Sequence, residues 1–584
     1  MSNLNAKTND IIQEKITGFI YKNIEHLRKE LKAQEQKKRE GRNFNLQATV
    51  TYCRLNQDSS WHVRLVTEDT SKLRLKENLV EKNKKLSGII TSIRSNSEFT
   101  LLSINSEPFQ CMGNYNFIKK QYKDYLMLKS LYQLANQKVF PENSAQAKLR
   151  NILLGLEHPT SSDIKDISNL NNSLLNEKQK QAVLESIKQN EICIIHGPPG
   201  TGKTTTLVEI IEQEISKGGR VMVCANANVA VDNLMDKVIK KQQVTRRSTL
   251  VRIGHPGKIT KETLIPNSLF YLTNTSPPND RKDVLLQSVA IFGTLSACNF
   301  YLNTQHKTSL SLLPNNFFTL TVIDEASQSL ETNCWSVIPY SKKLILAGDP
   351  CQLPPTIMTT NIQTKKYLSI SLMERMMNNA NIERNIVVLY MQYRMNAKIM
   401  DWPSKTFYQN KLIAAPRIAN KQLASLEGVK PSDLTQAELI LANTESSTEK
   451  KDKGKSLYNE AELAKAVEVI EQLIINGVRT SDIAIISPYA IQTKLLKELT
   501  SQRWSQLEIS TIDAYQGSEK EVIILSTVRS NKEGRLGFLK DPQRMNVAIT
   551  RAKKQFILIA NAETLGREKQ WASFLQSFEF KLIS

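Results

Sequence analysis

The stretch Gly197 to Thr205, GPPGTGKTT, has the residues and spacing for holding phosphates. It follows the apolar run Glu191 to Ile195 and precedes a helix-compatible stretch, Leu207 to Ile215, so the order is strand, loop, helix. In such a Walker A loop, Gly197, Gly200 and Gly202 let backbone amides close around phosphates, Lys203 reaches the outer phosphates, and Thr204 supplies a hydroxyl to Mg²⁺. Pro198, Pro199, Thr201 and Thr205 complete the nucleotide-binding set. A second apolar strand, Leu320 to Ile323, ends in Asp324 and Glu325 within VIDEASQ. Adjacent carboxylates at a strand end beside bound phosphates divide the work: Asp324 holds Mg²⁺ through its water shell, and Glu325 orients and deprotonates the attacking water. Helix capping, the ordinary use of an acidic pair, does not explain a pair placed directly after a buried-type strand. Further on, GDPCQLPP follows the apolar run Leu344 to Ala347, and Gln352 is its γ-phosphate-sensing candidate.

Taken together these motifs resemble superfamily 1 helicases of the B subclass, in the Upf-like branch of the nonsense-mediated-decay helicase and the immunoglobulin mu-binding helicase. The resemblance covers roughly residues 175 to 560. It implies that Gln179 of LNEKQ reads adenine, since a carboxamide both donates and accepts, that Tyr393 of LYMQYRM stacks near the base, and that Glu519 of DAYQGSEKE, after Gly517, contacts ribose. It also implies that Arg394 and Arg551, the latter in RMNVAITRAK, are two arginine fingers. Two fixed guanidiniums facing the transferring phosphoryl stabilise its charge only when the two halves close. Nucleotide state then becomes interdomain geometry. In the family a nucleic-acid strand crosses both halves over short polar motifs at strand ends, so Asn228, Thr294, Ser296, Tyr489 and Gln492 are the candidate contacts by position. The pattern departs from relatives at Asn226 and Ala227, where proline and a hydroxyl residue are common, at Pro350 for histidine, and at Gln543 for arginine. None of these removes a catalytic group.

These residues need two parallel sheets to position them. Strand-like runs at 192–195, 220–225, 289–293, 319–323 and 343–347 alternate with helical patterns, and a second set falls at 386–390, 437–442, 482–487, 521–526 and 556–560. With the resemblance, the expected fold class is α/β: two tandem RecA-like P-loop domains, residues 140–382 and 383–584, preceded by a helical stalk and a small accessory β-barrel. The stalk begins in residues 1–45, where Ile12, Ile16, Phe19, Ile20, Leu27 and Leu31 recur at helical spacing. Period-two alternation from Leu46 marks the barrel, 46–112, and a helical stretch with Tyr122, Tyr125, Leu128 and Leu131 marks a second stalk helix, 113–139. TESSTEKKDKGKS at 444–456 is polar and aperiodic and reads as a loop.

Composition sets the class of partner. The 584 residues carry 78 Lys and Arg against 57 Asp and Glu, a net charge of +21 that suits phosphate polymers as partners. Seven cysteines include no CxxC pair, which points to reduced buried thiols and away from zinc modules. The polar N-terminus is no secretory signal and no apolar run reaches the length of a membrane span, so the expected place is cytoplasmic, or nuclear in a eukaryote. The reading is of a monomeric ATP- and Mg²⁺-dependent translocase on single-stranded RNA or DNA that unwinds duplexes, 5′ to 3′ by resemblance. The alternative is an ATP-gated clamp or remodelling ATPase with little unwinding. A P-loop kinase or GTPase would leave QYRM and VAITR unexplained.

Overall fold

The computed structural model describes residues 2–39, six strands between 46 and 120, residues 131 and 134, and residues 140–583 except 161–169, 189, 242–248, 274–280, 304–312, 315, 446, 453–455 and 578–579. Within the first helix, side chains are described for 14–33.

A helix Ser2–Arg39 opens the chain. Ile16, Ile20, Ile24, Leu27 and Leu31 recur every three to four residues and bury one stripe, together with Leu131, Leu134 and Phe140, in the core under the first sheet. Polar contacts fix its register. Glu30 is fully buried and accepts from the backbone N–H groups of Met358 and Thr359, both at 2.8 Å, just beyond GDPCQLPP. His26 stacks on Tyr367 with centroids 4.3 Å apart. Six antiparallel strands, β1 (Leu46–Leu55), β2 (Trp61–Val66), β3 (Asn78–Glu81), β4 (Ser87–Ile93), β5 (Glu98–Ser103) and β6 (Asn114–Lys120), close into a barrel of order β1-β2-β5-β4-β3-β6. Because β6 pairs with both β1 and β3, a second stalk helix cannot start at 113, and the barrel extends past 112. Tyr122, Tyr125 and Leu128 lie outside the described residues.

The first sheet contains β7 (Ile192–His196), β8 (Val221–Ala225), β9 (Thr249–Arg252), β10 (Ser288–Thr294), β11 (Phe318–Asp324), β12 (Ser341–Gly348) and β13 (Ile386–Val388), in the order β13-β7-β12-β11-β8-β10-β9 and parallel throughout. Alternation along each strand splits the core in two: Ile192, Ile194, Met222 and Cys224 face one helical layer, Cys193, Ile195, Val221 and Val223 the other. The run at 386–390 was expected in the second half. Its residues 386–388 instead pair with β7 (Ile386 opposite Ile194), where they satisfy backbone groups that β7 would otherwise leave unpaired at the edge of the first sheet. The boundary expected at 382 therefore falls later.

Two short parallel strands, β14 (Met391–Gln392) and β15 (Ile413–Ala414), then lead to the second sheet. Its strands are β16 (Leu439–Asn443), β19 (Ile483–Ser487), β20 (Glu508–Thr511), β21 (Lys520–Ser526), β22 (Ala552–Ala560) and β23 (Lys581–Ile583), parallel in the order β20-β19-β21-β22-β16-β23. Among the described residues of the segment expected to be loop at 444–456, only Lys450–Lys451 form a strand, β17, which pairs antiparallel with β18 (Leu457–Tyr458). Two RecA-like parallel sheets thus follow one another, each covered by helices on both faces.

Candidate active site

The phosphate loop is built by close approach. Gly200 and Gly202 have φ of +74° and +79°, in the left-handed region that side chains rarely adopt. A Cβ on Gly200 would lie 2.6 Å from Arg394 Cβ, and one on Gly202 would collide with Gln179 Nε2. The loop is therefore clasped between the Gln179 helix and the Arg394 segment, and Tyr393 N–H donates to Gly200 O at 2.8 Å. Residues separated by nearly two hundred positions in the chain meet at one loop.

Lys203, the first residue of the helix Lys203–Ser216, places Nζ 2.5 Å from Glu325 Oε1 and 3.5 Å from Asp324 Oδ1. Burial works to lower the Lys203 pKa, but the two carboxylates outweigh it and the net shift is upward. Burial raises Asp324 above the usual carboxylate range, partly offset by Lys203. Glu325 sits at φ +52°, a left-handed backbone uncommon outside glycine, which costs about 1–3 kcal/mol and persists only where surroundings impose it. Its second oxygen accepts from Gln328 Nε2 at 2.7 Å. Gln328 was missed by motif reading although it stands in VIDEASQ, three residues after the carboxylate it orients.

Buried Asp349 organises the second part of the site. It accepts from His196 (3.1 Å), Gln352 Nε2 (2.7 Å), Tyr408 Oη (2.7 Å) and Cys351 N–H (3.1 Å). Burial alone would raise its pKa, yet the hydrogen bonds, His196 foremost, hold it below the ordinary value. Gln352 Oε1 in turn accepts from Arg551 Nη2 at 3.0 Å. Arg551 also donates to Thr550 Oγ1 (3.1 Å), and Arg394 Nη1 donates to Thr550 O (3.0 Å), so both arginines converge on one residue. Burial first and the neighbouring Arg394 charge second push the Arg551 guanidinium down to about 9, which leaves it a cation at neutral pH. Glu519, read as a ribose contact, pairs here with Arg394 Nε at 2.5 Å.

Gln179 has both ends of its amide engaged, Oε1 by Asn176 N–H in a capping box and Nε2 by Thr201 O. Asn176 Nδ2 donates to Tyr393 Oη at 2.8 Å, and the Arg417 guanidinium lies over the Tyr393 ring at 5.3 Å. Asn176 was legible as the N-cap three residues before Gln179. Tyr408 and Asn546, which hydrogen-bond each other at 2.7 Å within the second half while the Tyr408 hydroxyl reaches Asp349 of the first, carried no sequence signal. Gln543 and Pro350, two of the departures from the family pattern, touch: Gln543 Nε2 donates to Pro350 O at 2.7 Å.

The nucleic-acid candidates divide. Asn228, Thr294 and Ser296 are half-buried at or just beyond the carboxyl ends of neighbouring β8 and β10. Asn228 accepts from Arg252 and Thr294 Oγ1 from Ala297 N–H. Tyr489 follows β19 but is only 5% exposed. Gln492 is a correction: it is fully buried, with Oε1 accepting from Asn459 N–H and Nε2 donating to Ser526 Oγ, because helical spacing from Tyr489 turns it into the core. Among the described residues no helix is long and apolar enough to cross a membrane.

A family model described as AAA domain matches residues 174–277 and 273–360, and a second of the same description matches 368–563. The chain is 35% identical over 467 residues to DNA-binding protein SMUBP-2 of Rattus norvegicus, covering 72% of this chain and 46% of that protein. It is 32% identical over 454 residues to the DNA polymerase alpha-associated DNA helicase A of Schizosaccharomyces pombe, covering 69% and 67%. It is 31% identical over 507 residues to an uncharacterized ATP-dependent helicase of Methanocaldococcus jannaschii, covering 74% of each. The chain thus spans about half the length of the mammalian relatives it matches and about three quarters of the archaeal one. Among solved structures, that of the PRRSV helicase aligns over 89% of this chain and 69% of its own at 12% identity and a TM-score of 0.35.

Proposed function

The chain belongs to the superfamily 1 Upf-like helicases, and from that premise we propose that it is an ATP-driven translocase on single-stranded RNA or DNA that unwinds duplexes, moving 5′ to 3′ as the family resemblance implies. The observation that carries this reading is the convergence of Arg394 and Arg551, both from the second half, on Thr550 and Gln352 beside the phosphate loop of the first. A hydrolase that worked within one domain would have no need of that bridge.

In this reading Lys203 grips the outer phosphates, Glu325 orients the attacking water and takes its proton, and the two guanidiniums neutralise charge on the transferring phosphoryl. Gln328 holds Glu325 in place, and Gln352 relays the state of the phosphates to Arg551. The oxygen donors available, the Thr204 hydroxyl and the Asp324 carboxylate at neighbouring helix start and strand end, are the hard ligands that Mg²⁺ takes, so the donor set fits it. When bound, Mg²⁺ supplies a Lewis acid that offsets phosphate charge. Closing and opening the cleft alters the spacing of Asn228, Thr294 and Ser296 relative to the strand ends of the second sheet, which converts hydrolysis into movement. Residues 390–583 then form the second motor domain and the sheet β7–β13 the first.

The test is steady-state ATP hydrolysis by wild type and Glu325→Gln without polymer, with single-stranded RNA, and with single-stranded DNA of matched length, paired with a strand-displacement assay. Polymer-stimulated hydrolysis that the substitution abolishes, together with displacement, is expected. Polymer-independent hydrolysis would overturn the translocase, and stimulation without displacement would leave a clamp.

A further inference from the structure

The nucleotide site makes no use of one feature of the second sheet. β19 and β20 are adjacent and parallel, so their carboxyl ends reach the same edge, the usual place for a ligand on an open parallel sheet. Pro488 and Tyr489 follow one strand, Thr511 and Ile512 end and follow the other, and these residues with Phe538 line a cavity of about 260 Å³. The Phe538 ring is 54% exposed at its mouth.

An exposed apolar side chain is ordinary by itself, and Ile362 and Ile475 are more exposed than Phe538. What distinguishes Phe538 is that its ring is held. Tyr489, itself in the core, lies 5.7 Å from it at an interplanar angle of 58°. The Arg544 guanidinium lies 5.4 Å from its centroid. Arg544 is fixed in turn by Asp513, at 2.8 and 3.0 Å, and by Asp541 at 2.9 Å. Bracketed by two carboxylates, its charge is not available to a phosphate. The cavity therefore offers a ligand a rigid π-face rather than an anion site. The exposed charges of the same segment, Lys532, Arg535 and Lys540 against Glu533, leave it net positive, which suits a polyanion.

We propose that Phe538 is a stacking platform for one base of a single-stranded nucleic acid, seated in the cavity at the carboxyl ends of β19 and β20; this rests on the strand-binding function proposed above. Every base has a π-face, so the platform adds affinity without reading sequence and accepts RNA and DNA alike. Arg544 and Tyr489 act as positioning residues that fix the ring before the base arrives, which limits the entropy lost on binding.

The test measures binding of the full chain to a short labelled oligonucleotide, and to the same backbone with abasic sites throughout, for wild type, Phe538→Ala and Phe538→Trp. Phe538→Ala is expected to weaken binding of the base-bearing strand about tenfold, from the usual strength of base–aromatic stacking. Phe538→Trp should restore it, and the abasic strand should bind wild type and Phe538→Ala alike. A base-bearing strand that binds wild type and Phe538→Ala equally overturns the platform alone. An equal loss on the abasic strand also overturns it, by showing a general distortion. Wild-type protein that binds no strand overturns the platform and the proposed function together.

Discussion

Replacing Glu462 by glutamine should change how the stability of this protein depends on pH. Glu462, on the helix Glu460–Ile475, is fully buried beneath the end of β21. It accepts from Ser526 Oγ at 2.6 Å, Thr527 Oγ1 at 3.2 Å and Val528 N–H at 2.9 Å. Val528 is buried at φ +70°, a conformation a β-branched residue rarely adopts, and Asn459 Nδ2 holds its carbonyl from the other side. Burial is the largest influence on the carboxyl and pushes its pKa up to about 7, against the opposing pull of those hydrogen bonds. Between an ordinary glutamate value and that one, the folded chain keeps a proton that the unfolded chain has released. Stability therefore falls as pH rises through this window, and the penalty is complete above about pH 7. At about 1.4 kcal/mol for each tenfold difference in proton affinity, the full penalty is on the order of 3 kcal/mol.

Glutamine cannot ionise, so Glu462→Gln removes the pH-dependent part while leaving a carbonyl for Val528 N–H. At pH 5 the variant should be as stable as wild type or slightly less, because its amide group meets hydroxyls that must turn to accept. At pH 8 it should gain on wild type by up to about 3 kcal/mol, or about 6–12 °C in the midpoint for a domain of this size. Thermal unfolding of both proteins from pH 5 to pH 8 measures the difference directly. Parallel profiles across that range would refute the buried, protonated carboxyl and with it the account of what fixes Val528.

Two further outcomes are expected. Tyr408→Phe removes the hydroxyl that donates to Asp349 across the two halves and accepts from Asn546; a hydrogen bond to a buried carboxylate contributes about 1.5–3 kcal/mol, so hydrolysis should fall about tenfold or more with overall folding retained by circular dichroism. Glu30→Ala leaves the N–H groups of Met358 and Thr359 without their buried acceptor, at about 1–3 kcal/mol each, and should raise amide exchange in that segment and in the N-terminal helix while the second sheet exchanges as before.

Much of the proposed nucleotide site was legible because its motifs are local. The phosphate loop needs glycines, a lysine and a hydroxyl within a few residues, and the strands that deliver Asp324, Glu325 and Asp349 are continuous apolar runs because both faces are buried. Gln328 and Asn176 were within reach of the same reasoning, since each acts on a residue three positions away. The second-sheet strands β20 and β23 escaped it, being short and placed at or beside an edge where alternation is weak. The end of the barrel and the start of the second half were misplaced for one reason: β6 and β13 take their identity from partners far away in the chain, not from their own composition.

By itself the sequence determined where the phosphate-loop and strand-end motifs stand, that two parallel sheets must carry them, and which family the chain resembles, because each of these is encoded by neighbours in the chain. Only the tertiary structure decided that Arg394 abuts Gly200, that Tyr408 joins Asp349 to Asn546, that Gln492 is core, and that Phe538 borders an open cavity. Those facts depend on how the ends of separate strands face one another, and a pattern of residue types along one strand does not contain the position of the next.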